Sequence, residues 1–170
     1  MAHRPILANS CALAATAAEA RYRINARPQP PRATSVVALD DGAMAVVREL
    51  ADQTWNAARF LGCADGPAGE PADGFADIVL RTVDGSLVRL SEELAEADFV
   101  MMIATEGRGA AAASTIGDAC TLRGIMTAGL IIGDDGESGA ALTALRPNAR
   151  VLLITGDERD ATELLAAVGA

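Results

Sequence analysis

The chain has 170 residues, 51% of them hydrophobic and 22% charged, which is enough to build one packed domain and little beyond it. Aromatic residues make up only 3%, so the core must be built from Ala, Val, Leu, Ile and Met. A formal net charge of −9 disfavours nucleic acid and anionic membranes as partners, and no run of 18 apolar residues is present to span a bilayer.

The charge is unevenly placed. Residues 1–33 carry five arginines (Arg4, Arg21, Arg23, Arg27 and Arg32) against Glu19, a balance of +4, and the remaining residues carry −13. This basic N-terminal arm contains the alanine-rich stretch SCALAATAAEARYRINA, of helical composition, which Pro28, Pro30 and Pro31 then end. Its apolar run is too diluted with alanine for a secretory signal, so a cytoplasmic location is expected. Two readings stay open for the arm: a frayed leader, or a segment that docks on the acidic body or on a partner through Leu13, Arg21, Tyr22, Arg23 and Arg27.

From Thr34 onward, strand and helix patterns alternate. This predicts an α/β fold, a three-layer Rossmann-like domain over 34–170 with a mostly parallel sheet of about five strands. TSVVAL (34–39) is a short buried strand, Asp40 and Asp41 cap the next helix, and Ala43, Val46, Val47 and Leu50 give that helix its apolar stripe. ARFLGC (58–63) is a second strand, followed by a Gly/Pro/Asp loop. IVLRTV and SLVRL flank Asp84-Gly85, which predicts a β-hairpin insertion over 77–90. A short helix starts at Ser91. DFVMMIA (98–104) is the most apolar strand and therefore the expected centre of the sheet. TEGRG turns it into a helix that stops at Gly124; then come strand 125–132, the loop GDDGESG, a helix around AALTALR and strand 151–155. Asp160 and Glu163 are spaced as a capping box for the last helix.

Residue types narrow the chemistry further. Every basic side chain besides the single His3 is arginine, so phosphate-loop, kinase and Schiff-base lysine mechanisms are excluded. With one histidine outside any motif, neither a His-activated nucleophile nor a His-ligated zinc site is expected. Cys11, Cys63 and Cys120 lie far apart and form no paired motif; Cys63 and Cys120 read as small core residues, and Trp55 and Phe60 as core anchors.

Two constellations stand out. Gly107-Arg108-Gly109 followed by alanines, with Asp134 and Asp135 after the next strand, has the layout of a phosphate-binding turn with an acid placed to hold a hydroxyl. An alanine-rich loop with incidental glycines explains the same residues. The acids at the carboxyl ends of the strands, Asp40, Asp41, Glu106, Asp134, Asp135, Asp157 and Glu158, could gather a magnesium ion, but each also precedes a helix, where capping and the helix dipole favour acids; no metal or cofactor is expected.

ADFVMMIATEGRGAAAASTIGDACTLRGIMTAGLII (97–132) resembles the strand, phosphate loop, helix and strand of the bacterial tubulin-like cell-division GTPases, and TSVVALDDGAMAVVREL with ARFLGC is similar to that family's opening layout. Asp40-Asp41-Gly42 stands where the family has a run of glycines, and alanines follow Gly109 where it alternates glycine and threonine. The resemblance implies a degenerate nucleotide-type fold. The expected function is accordingly a non-catalytic accessory or binding role, with the arm mediating partner or self-association. The alternative is a module that binds a nucleotide or other phosphate-bearing molecule at Gly107, Arg108 and Gly109 with Asp134 or Asp135.

Overall fold

Phe99–Ala104, the strand β5, is buried along its whole length, and its side chains alternate between two cores. Val100, Met102 and Ala104 face one core, while Phe99, Met101 and Ile103 face the other. A strand covered on both faces favours apolar side chains at successive positions, which is why this stretch reads as an unbroken apolar run. The computed structural model describes residues 32–64, 77–105, 109–133 and 139–170.

In chain order the elements are β1 (Thr34–Ala38), α1 (Asp41–Ala51), β2 (Ala58–Cys63), β3 (Val79–Thr82), β4 (Leu87–Arg89), α2 (Leu90–Glu93), β5, α3 (Ala110–Arg123), β6 (Met126–Ile132), α4 (Gly139–Leu145), β7 (Val151–Thr155) and α5 (Arg159–Val168). They form one seven-stranded sheet in the order β4-β3-β2-β1-β5-β6-β7. Neighbours pair in parallel except β2 with β3 and β3 with β4. Without the β3–β4 hairpin, the five parallel strands run second, first, third, fourth, fifth, the doubly wound arrangement that reverses direction beside its first strand.

The helices make the outer layers. Ala43, Val46, Val47 and Leu50 of α1 and Ala161 and Leu165 of α5 close one core. Leu90 of α2, Ala113, Ile116 and Cys120 of α3, and Ala141 and Leu145 of α4 close the other. The hairpin joins the same sheet at the β2 edge, its turn held by Gly85 at φ +92° and by Asp84, whose carboxylate accepts from the Ser86 amide and the Thr82 hydroxyl. These bonds favour the ionised form and hold the Asp84 carboxyl below its ordinary range.

Three sequence expectations are adjusted. The sheet has seven strands where about five are expected, because the two hairpin strands pair onto its β2 edge. The capping box at Asp160 is replaced by an earlier start: α5 begins at Arg159, whose amide donates to Asp157 Oδ1 at 2.9 Å, and Asp160 accepts from the Thr155 hydroxyl within the first turn. Trp55 and Phe60 are half-buried on the rim of the α1 side, their rings tilted at 50° with centroids 6.4 Å apart, and Trp55 Nε1 donates to the Leu50 carbonyl at 2.7 Å. No helix among the described residues is long and apolar enough to cross a membrane.

At the strand starts, a buried carboxylate ties α2 to the sheet. The Glu93 side chain is 1% exposed; Ser35 Oγ donates to its Oε1 at 2.7 Å, and the half-exposed Arg59 guanidinium lies 3.1 Å from its Oε2. The arm joins the fold at this same edge, where the Arg32 amide donates to the Gly169 carbonyl and the Ala33 amide to Asp98 Oδ2.

Helix α3 can lie against the β1 exit only because Gly109 has no side chain: a Cβ there would sit 2.4 Å from Leu39 Cβ and 2.7 Å from the Leu39 carbonyl oxygen. Gly109→Ala is therefore expected to lower the unfolding free energy by about 1–3 kcal/mol through overpacking. Gly139→Ala, which meets nothing within 4 Å, should raise it by about 0.5 kcal/mol. Urea denaturation of the two variants beside the parent protein checks both signs.

Candidate functional site

The chain leaves β1 toward β2 and leaves β5 toward β6, so the loops at the carboxyl ends of these adjacent strands diverge. In a doubly wound sheet this is where a crevice opens for ligands. Here the two loops are pinned together by Asp40. Its Oδ1 accepts from the Ala43 amide at 2.8 Å, which caps α1, and from Thr105 Oγ1 at 2.7 Å; its Oδ2 accepts from the Thr105 amide at 2.9 Å. One carboxylate thus satisfies an orphan donor of the helix and holds the end of β5 beside it. Gly42 and Gly109 permit the approach, since a Cβ on Gly42 would fall 2.1 Å from Thr105 Oγ1.

Beside this clamp a cavity of about 410 Å³ opens over the carboxyl ends of β1 and β2, lined among others by Asp41, Met44, Arg48, Cys63 and Arg81. Asp41, Met44 and Arg48 lie at helical spacing on α1, while Arg81 comes from the hairpin, where its register opposite Gly62 brings it to the β2 end. A Cβ on Gly62 would meet Met44 Sδ at 2.6 Å, so the missing side chain leaves the space that Met44 occupies. Arg48 and Arg81 are exposed at this rim and have no ionic or hydrogen-bond partner among the described residues. A second hollow, of about 450 Å³, lies between α1 and α5 and is lined by Glu49, Asp157 and Glu158 against one guanidinium, Arg159, a charge balance unsuited to an anion.

Of the residues expected from sequence, Gly109 is placed at the start of α3, directly against Leu39. Among the described residues no side chain caps this 14-residue helix, which starts beside the β1 exit. Gly107, Arg108, Asp134 and Asp135 lie outside the described residues, as do Leu13, Arg21, Tyr22, Arg23 and Arg27 of the arm. Asp40 serves as the cap it was read to be, and Asp157 accepts from the start of α5. No group of three His, Cys, Asp or Glu side chains arranged to hold a metal ion is found among the described residues.

Arg48, Arg81 and Cys63 were missed as site residues. The helical stripe Asp41-Met44-Arg48 was a usable signal for the first; nothing in the sequence announces that the hairpin seats Arg81 over the β2 end. The two cysteines separate by position. Cys120 is buried in the α3 core and burial pushes its thiol up to about 12, with Arg123 opposing weakly, whereas Cys63 is half-buried and lines the cavity. Comparison with protein-family models, curated proteins and solved structures finds no match for this chain.

Replacing Asp40 by Ala removes the α1 cap and both bonds to Thr105 together, an expected loss of about 2–4 kcal/mol in unfolding free energy. Thr105→Val, which keeps the cap and the bond from the Thr105 amide, should cost less than half of that, and chemical denaturation of both variants isolates the share of the hydroxyl. For the cysteines, iodoacetamide at pH 8 should leave Cys120 unmodified in the folded protein and modify it only after unfolding in urea, as read by peptide mass spectrometry, because the neutral thiol is not the nucleophile.

Proposed function

We propose that this protein is a non-catalytic binding module for a small phosphate-bearing molecule, held at the carboxyl edge of the sheet beside the β1–β5 crossover. The observation that carries the reading is the cavity of about 410 Å³ in which Arg48 and Arg81 stand without a partner among the described residues, in a chain whose net charge is −9. Guanidinium groups bind phosphate oxygens through paired N–H donors, and two of them at one cavity supply the charge that an acidic body otherwise withholds. Asp40 is occupied by its structural bonds, so Asp41 is the acid placed to accept from a ligand hydroxyl. In this reading Arg108, which precedes Gly109 in the sequence, and the uncapped amides of α3 extend the phosphate contacts across the crevice. The absence of lysine and the single histidine, His3, support binding without turnover.

A second role, partner or self-association through the arm, is compatible with the first. The arm's junction at Arg32 and Ala33 lies at the strand-start edge, opposite the cavity.

Isothermal titration calorimetry with pyrophosphate, ATP and GTP tests the main reading. At least one should bind saturably, and Arg48→Ala and Arg81→Ala should each weaken it by about tenfold or more, about 1.4 kcal/mol. Arg146→Ala, at an exposed position beyond α4, should leave the affinity unchanged. Equal affinity in all four proteins, or no binding by the parent protein, overturns the assignment.

A further inference from the structure

The two edges of the sheet are built differently. At one edge, β4 is three residues long and ends in Arg89, a short strand with a charge that discourages further pairing. At the other edge, β7 presents Val-Leu-Leu-Ile-Thr with no charge, proline or bulge, and among the described residues it pairs with β6 alone. Three of its five side chains are exposed: Val151 is 51% exposed, and Leu153 and Ile154 are 37% exposed each. An edge of this kind is a template for another strand.

The charges that flank β7 indicate which strand fits. Arg150 precedes it, exposed and without a side-chain partner among the described residues, and Asp157 and Glu158 follow it, also exposed. The strand is therefore positive at its start, apolar through its middle and negative after its end. Such a sequence is complementary to its own reverse. Two copies placed antiparallel about a two-fold axis perpendicular to the sheet must share a residue at the axis, because opposed residues in an antiparallel pair point to the same face. With Leu153 at the axis, Leu152 opposes Ile154 and Val151 opposes Thr155. Arg150 then falls opposite Gly156, next to Asp157 and on the same face as Glu158 of the second copy, and does so at both ends.

We propose that the chain forms a two-fold dimer by antiparallel pairing of β7 with β7 of a second copy, giving one continuous fourteen-stranded sheet. The occupant is a second copy because the charge pattern of the edge is self-complementary. A basic segment such as the arm would match the acidic end of β7 but would oppose Arg150 at the other.

Sedimentation equilibrium of the full chain at about 50 µM should give twice the monomer mass of 17.4 kDa. Leu153→Lys should return it to the monomer mass with an unchanged far-ultraviolet circular dichroism spectrum, the substituted side chain being one already exposed. Arg150→Asp should weaken the dimer at least tenfold, and adding Asp157→Arg and Glu158→Arg to it should restore affinity. Under mild oxidation Leu153→Cys should form a disulfide between the two substituted positions, identified in the linked peptide, while Val83→Cys, exposed on the hairpin, should not. A monomeric parent protein, a dimer indifferent to Leu153→Lys, or linkage of the substituted position to an arm peptide instead of to its own copy each overturns the proposal.

Discussion

The carboxylate of Asp40 is the constraint on which the carboxyl edge of this protein depends. A doubly wound sheet sends the chain in opposite directions from two adjacent strands, and the backbone at that divergence loses the hydrogen-bond partners that the ladder supplies elsewhere. Asp40 supplies two of them, to the amides of Ala43 and Thr105, and accepts a third bond from the Thr105 hydroxyl, and so fixes the start of α1 and the end of β5 in a single geometry. The two loops then approach so closely that positions 42 and 109 admit only hydrogen as a side chain. Acid, threonine and two glycines form one unit, and the crevice beside them inherits its shape from it.

The cost of that unit is that Asp40 is no longer a ligand. Asp41, the two arginines and Cys63, contributed by a helix, a hairpin and a strand end, line the cavity at this edge. Arg48 and Arg81 differ from two other guanidiniums of the sheet, which have carboxylates close by. Arg59 meets the buried Glu93 and Arg89 lies 3.9 Å from Asp77. The edge cavity brings Arg48 and Arg81 together beside Asp41, while Asp40 is held by its bonds to Ala43 and Thr105.

The sheet also separates tasks by edge and by end. Strand ends carry the cavity and strand starts carry the arm junction with the buried Glu93–Ser35–Arg59 group. Sideways, a short charged strand closes one flank and an apolar strand stands at the other. The edge cavity, the Arg32–Ala33 junction and the exposed β7 flank therefore lie on separate surfaces of one domain.

Much of this was legible in the sequence because it rests on local rules. The apolar run 99–104 sets a strand buried on both faces, Asp40 a helix start, Asp84-Gly85 a hairpin, and Gly124 a helix stop in the left-handed region. Each is decided within a few residues by side-chain period or backbone freedom, so composition and spacing suffice. Sheet order, the docking of the hairpin beside β2, the pairing of Asp40 with a threonine 65 positions away and the exposure of β7 could not be read in this way. They depend on contacts between segments distant in the chain, where the loop connections allow several arrangements and only packing of the two cores selects one. VLLIT illustrates the division: its residues specify a strand, but whether that strand is interior or edge is a property of its neighbours, which tertiary structure alone decided.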